Sequence, residues 1–201
     1  MLFRLLRNLL SLCLLLVLLT VAKAALAPAG TVISNTGTGT YVDSASGLSV
    51  RLTSNTVNTT ITVLEALTLT ANQTLLVANG ASFALSHTLT NTGNALTSYR
   101  ITSGVVAGSA FAPLGVQVIQ DTNSNGRVDA GEPVISATGV ISLAPGQSVN
   151  LLLMAQAPAT STPGQTAQLV ISAASLVQGV SASNTDTVTL TTGAAIVTTL
   201  A

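Results

Sequence analysis

The twelve residues DTNSNGRVDAGE, from Asp121 to Glu132, place oxygen donors at the spacing of a calcium loop. Such a loop needs acceptors at positions 1, 3 and 5, a main-chain carbonyl at 7, an often water-bridged ligand at 9 and a bidentate carboxylate at 12. Those places hold Asp121, Asn123, Asn125, Arg127, Asp129 and Glu132. Position 6, where the chain must turn sharply, is Gly126, and only glycine takes a left-handed conformation without steric cost. The pattern D-x-[DN]-x-[DN]-G-x5-E is thus complete. A solvated turn uses the same residue types, but it does not require all of these positions together. Three carboxylates are a small charge for a divalent ion, and Arg127 adds a positive group beside them. The expected affinity is therefore weak, about 10⁻⁴–10⁻³ M, which suits a structural calcium ion and not a sensor.

The flanking segments must position these donors. GVQVIQ (115–120) and PVIS (133–136) are short and β-branched, which predicts a strand on each side. Pro133 directly after the last ligand opposes a continuing helix. The expectation is a calcium loop carried between strands, with Val128 as an apolar pin against a core.

Other chemistry is sparse. His87 is the sole histidine, and it falls on the apolar face of an alternating segment, where a hydrogen-bonded core histidine is expected. No G-x-S-x-G motif is present, and Asp43, Glu65 and Asp186 are isolated carboxylates. Serine-hydrolase, glycosidase and zinc chemistry each need more neighbouring groups than these, so no enzymatic activity is expected. Nor is there a basic patch for nucleic acid. A sugar-binding face would have to draw on Tyr41, Tyr99, Phe83 or Phe111, and alternation turns Phe83 inward. The Thr/Asn surfaces could meet a glycan or the edge strand of an envelope protein, or serve as solvated sheet.

Residues 1–24 read as a secretory signal. Arg4 and Arg7 are the positive start, Leu9–Val21 the apolar stretch and Ala22-Lys23-Ala24 the small-x-small cleavage site. That stretch is shorter than the roughly 20 residues of a membrane span. Its removal takes away half the basic residues and the one cysteine, leaving 177 residues of net charge −3. The expected location is outside the cell or in the cell envelope, with no disulfide and no transmembrane span. Hydrophobic residues make up 48% of the chain and charged ones 6%, so it can build a core, though an aliphatic one.

The remaining chain alternates apolar residues with Thr, Ser and Asn, which predicts an all-β fold. Residues 25–64 form an N-terminal hairpin unit, turning at Ser44–Gly47 and burying one face. Residues 65–192 form a sandwich with strands near 66–71, 81–91, 97–103, 115–120, 133–143, 148–156, 166–174 and 185–191. Residues 193–201 are a tail or last strand.

Four segments, FALSHTLTNTGNALTSYRIT (83–102), the acidic loop, ISLAPGQSVNLLLMAQAP (141–158) and TPGQTAQLVISA (162–173), carry a family resemblance. They resemble the immunoglobulin-like surface repeat of bacterial proteins known as domain of unknown function eleven. AGTVISNTGTGTYVD (29–43) is similar to the segment that often precedes it. The resemblance implies an antiparallel immunoglobulin-like β-sandwich at the bacterial envelope, with a structural or adhesive role, usually as one module of a longer chain.

Overall fold

The computed structural model describes residues 26–135 and 139–192. The expected leader over 1–24 and the tail at 193–201 lie outside the described residues. Among the described residues every regular element is a strand, and no helix is long and apolar enough to cross a membrane.

The first four strands are β1 (Val32–Asn35), β2 (Thr38–Val42), β3 (Ser49–Thr53) and β4 (Val57–Thr60). They form one long antiparallel hairpin, β1 on β4 and β2 on β3, whose register slips by one residue between the two halves. Thr36 and Gly37 there face Ser54, Asn55 and Thr56. Gly37 N donates to Ser54 Oγ (2.9 Å), and the Thr36 and Thr56 hydroxyls meet at 3.0 Å. The tip is closed by Asp43, which accepts from Ala45 N and from Ser46 Oγ.

The hairpin and its turn agree with the sequence, but the expected buried face does not exist. Val32 and Ile33 point to opposite faces and are 54% and 55% exposed. Tyr41 and Val42 repeat the pattern. Alternation marks which side chains share a face. It does not supply a surface for that face to cover.

The arm joins the rest of the chain through the turn Asn91–Asn94. Asn94 Oδ1 accepts from Leu64 N, and its Nδ2 donates to the carbonyls of Ala27 and Thr62. Its main chain bonds Ala29 and Leu64. Asn91 Nδ2 donates to Ala95 O and Leu143 O, while its Oδ1 accepts from Gly93 N.

Ten further strands make the sandwich: β5 (Leu67–Leu69), β6 (Thr74–Ala78), β7 (Ser82–Asn91), β8 (Thr97–Val105), β9 (Leu114–Asp121), β10 (Val134–Ile135), β11 (Val140–Leu143), β12 (Ser148–Gln156), β13 (Thr166–Ser175) and β14 (Ser181–Thr191). One sheet runs β10-β9-β12-β7-β5 and the other β11-β8-β13-β14-β6. The set β5-β7-β12-β9 facing β8-β13-β14 reproduces the four-on-three order of the immunoglobulin fold. The chain is an immunoglobulin-like β-sandwich.

Its core follows the period of two. In β7, Phe83, Leu85, His87, Leu89 and Asn91 are buried. They meet Leu151, Leu153, Leu169, Ile171, Val188 and Leu190 from the strands beside and opposite. Aliphatic side chains dominate, as the aromatic-poor composition requires.

Three expectations need correction. The segment 133–143 is not one strand: β10 ends at Ile135 on β9, and β11 starts at Val140 on β8 in the other sheet. The strand β6 was not expected, and it pairs with β14 in parallel, so the sandwich is not wholly antiparallel. Tyr99 is no surface platform. It is fully buried, its hydroxyl donates to Ala66 O (3.0 Å), and burial raises its phenol above the usual range.

Candidate metal centre and the buried histidine

Strands β9 and β10 close the acidic loop at its ends. Asp121 is the last residue of β9, paired with Asn150 of β12, and Gln120 N bonds Pro133 O just past Glu132. Asp121 is therefore buried, 5% exposed, while Asn123, Asn125, Arg127 and Asp129 are exposed and Glu132 is half-buried.

The side chains turn inward onto the loop's own amides. Asp121 Oδ1 accepts from Asn125 N (3.2 Å) and its Oδ2 from Gly126 N (2.9 Å). Asn123 Oδ1 accepts from Asn125 N, and Asn125 Oδ1 from Arg127 N. Glu132 spans the loop, taking Thr122 N on Oε1 (3.1 Å) and Asp129 N on Oε2 (2.9 Å). Asp129 Oδ2 receives the carboxamides of Asn123 (2.7 Å) and Asn125 (2.6 Å). Three residues of the loop take left-handed backbone, Ser124 (φ 59), Gly126 (φ 72) and Gly131 (φ 93). Ser124 Oγ accepts from Asn150 Nδ2 (2.9 Å), fastening the loop over β12.

Five of the six predicted ligand residues thus direct side-chain oxygens into one loop, and the sixth, Arg127, is expected to offer only its carbonyl. Among the described residues, no three acidic, histidine or cysteine side chains meet as a ready metal cluster. Asp129 is instead faced by amide donors. An ion entering this loop would have to replace those contacts as it draws the carboxylates together. The donor set itself, all oxygen and three carboxylates, fits a hard cation. Val128 is 41% exposed and pins the loop only in part, against a groove beside Leu76 and Met154.

The Asn123 and Asn125 carboxamides, followed in size by the positive Arg127, hold the Asp129 carboxyl below its usual range. A depressed folded-state pKa contributes order above the ordinary carboxylate value and loses it as pH falls further. Measured against the intrinsic exchange rate at each pH, amide protection of residues 122–130 is expected to fall below about pH 4, while that of β12 is kept. Unchanged loop protection down to about pH 2 would contradict this role for Asp129.

The remaining carboxylates are engaged elsewhere. Glu65 Oε2 accepts from Gln178 N, and Asp43 caps the hairpin tip. Asp186 of β14 meets His87 of β7 across the sandwich, Nε2 to Oδ2 at 2.9 Å, with both side chains fully buried. The other Asp186 oxygen accepts from Gln73 N (2.8 Å). His87 Nδ1 lies 3.4 Å from both Thr70 O and Asn184 Nδ2. Thr70 to Gln73 is where the chain leaves one sheet for the other, between β5 and β6. The pair fastens that crossing. The sequence carried a signal for it, since Asn184, Asp186, Val188 and Leu190 share one buried face of β14.

No family model matches the chain, and no curated protein does. Solved structures resemble it only in general arrangement. A family 123 glycoside hydrolase from Clostridium perfringens aligns over 63% of this chain and 27% of its own, at 8% identity and a TM-score of 0.43. The E. coli chaperone DraB aligns over 63% and 55%, at 14% identity and a TM-score of 0.39. The periplasmic chaperone SfaE aligns over 66% and 60%, at 14% identity and a TM-score of 0.33. The chain therefore spans less than two thirds of each of these structures.

Proposed function

We propose that this chain is a secreted or cell-envelope β-sandwich module of the bacterial surface-repeat type, structural or adhesive and without a catalytic centre. Its loop 121–132 is stiffened by one weakly held calcium ion. The observation that carries the calcium reading is the inward convergence of Asp121, Asn123, Asn125, Asp129 and Glu132, anchored on buried Asp121. Drawing three carboxylates together costs repulsion that a divalent cation relieves. The non-catalytic reading is supported by where the titratable groups sit. The histidine and Asp186 are sealed in the core, and Asp43 and Glu65 serve as caps for main-chain amides.

Ligand binding to the folded state alone stabilises it by mass action. With a Kd of 10⁻⁴–10⁻³ M, about 10 mM calcium would add about 1.4–2.7 kcal/mol. Thermal melting of the secreted chain with calcium or with chelator reads this directly. The melting temperature should rise with calcium in the native chain but not in Asp121→Ala or Glu132→Ala. Equal melting of the native chain under both conditions ends the calcium reading.

A second reading, an accessory module for an envelope glycan or protein, draws on the exposed arm. Tyr41 is the accessible aromatic there, 52% exposed.

A further inference from the structure

The crossing from β5 to β6 leaves a slot between the two sheets. The pairing of β5 with β7 covers Asn91, Thr90 and Leu89, and it ends at Thr88, which Thr70 still meets through its main-chain N–H and its hydroxyl. The chain then changes sheet, and β6 pairs with β14 from Thr74 to Ala78. Along Ser82–Ser86, β7 consequently has β12 on one side and no strand on the other. On the facing sheet β6 is the terminal strand.

These two unpaired edges border a groove of about 320 Å³. Its walls are mainly Leu75, Leu76, Val77, Phe83, Val128 and Met154. Consecutive residues of one strand line a groove together only when it runs along that strand's edge, because alternate side chains point to opposite faces. Leu76 is 57% exposed, and Gln73 Nε2 closes one end of the slot by donating to Ser86 O. Arg127 stands at the wall. Among the described residues its guanidinium makes no ion pair, and neighbouring Asp129 already receives two carboxamides.

We propose that this slot receives an extended strand of a protein partner, with alternating aliphatic side chains and a carboxylate opposite Arg127. Three features select that occupant. The strand edges present main-chain donors and acceptors that only another main chain satisfies in register. The volume suits one or two aliphatic side chains and is near the lower bound of small-molecule pockets. The one charged side chain lining the slot is the positive Arg127. A fatty acid would match the walls and Arg127 but leave both edges unpaired. The slot needs no bound ion, so failure of the calcium titration leaves this proposal standing.

The test uses seven-residue peptides of alternating valine and threonine, blocked at both ends and carrying terminal glutamate, glutamine or lysine. Each is titrated into the ¹⁵N-labelled secreted chain up to millimolar concentration, with sodium dodecanoate as the lipid control. The glutamate peptide should shift the amides of residues 74–78, 82–86 and 126–128, and bind about tenfold more tightly than the lysine peptide. Arg127→Gln should erase that ratio while leaving binding. Leu76→Asp, at an exposed position, should abolish binding without lowering the melting temperature. Should that variant melt early, Ala84→Leu, which narrows the same groove from β7, replaces it. The proposal is overturned if no peptide moves these amides, if the three peptides bind alike, or if dodecanoate alone occupies the slot.

Discussion

Replacing Asp186 by leucine is expected to lower stability by about 3–5 kcal/mol, because it leaves His87 buried without its partner. The same change strips Gln73 N of its acceptor, which breaks the main-chain fastening of the β5–β6 crossing. His87→Leu alone removes the other half and should cost a comparable amount. The double variant His87→Leu/Asp186→Leu is the informative one. Two apolar side chains in place of a buried pair are often neutral, so it should regain most of the loss. What it cannot regain is the orphaned Gln73 amide, about 1–3 kcal/mol. Urea denaturation at neutral pH measures all three midpoints. If the double variant is as unstable as the sum of the singles, the two side chains do not act as a pair, and this account of the crossing fails.

The second large effect concerns a glycine with no positive φ. A methyl group on Gly93 would lie 2.3 Å from Leu64 O, 3.0 Å from Ala66 N and 3.2 Å from Asn91 Oδ1. The first two are main-chain atoms at the point where the arm enters the sandwich, so no side-chain rotation relieves the clash. Gly93→Ala is expected to destabilise the chain by about 3 kcal/mol, the upper part of the overpacking range. Gly104→Ala is the control, since nothing lies within 4 Å of its added methyl, and it should fall within about 1 kcal/mol of the native chain. Equal midpoints for the two variants would show that the 64–66 segment yields freely.

These two positions mark the boundary between what the sequence discloses and what it hides. The core face of β7 was legible because Phe83, Leu85, His87 and Leu89 alternate with Ser82, Ser86 and Thr88, and the facing sheet covers them. The arm has the same alternation, yet Val32 and Ile33 are both open to solvent, because period two says nothing of a covering layer. The strand β6 was missed for the opposite reason. Leu75, Leu76 and Val77 are a continuous apolar run at a sandwich edge, without alternation to announce it. Residues 133–143 read as one β-branched run because local preference cannot tell that its two halves serve different sheets. The acidic loop was legible as a spacing, and all of its donor side chains do turn inward. Its arrangement was not, since the Asn123 and Asn125 carboxamides that face Asp129 could as well have faced water. The pairing of His87 with Asp186 spans 99 residues of sequence, a separation over which only the three-dimensional fold brings them together.

The turn Asn91–Asn94 has a mechanical consequence. It grips the arm at Ala27, Ala29 and Thr62 and the start of the sandwich at Leu64 and Ala66, all through polar contacts at one knuckle. The arm is therefore braced at its root like a cantilever, and cannot swing without rupturing main-chain bonds. A pull on its tip would load the loop between β7 and β8 before it could peel β5, and the central strands would carry the tension first.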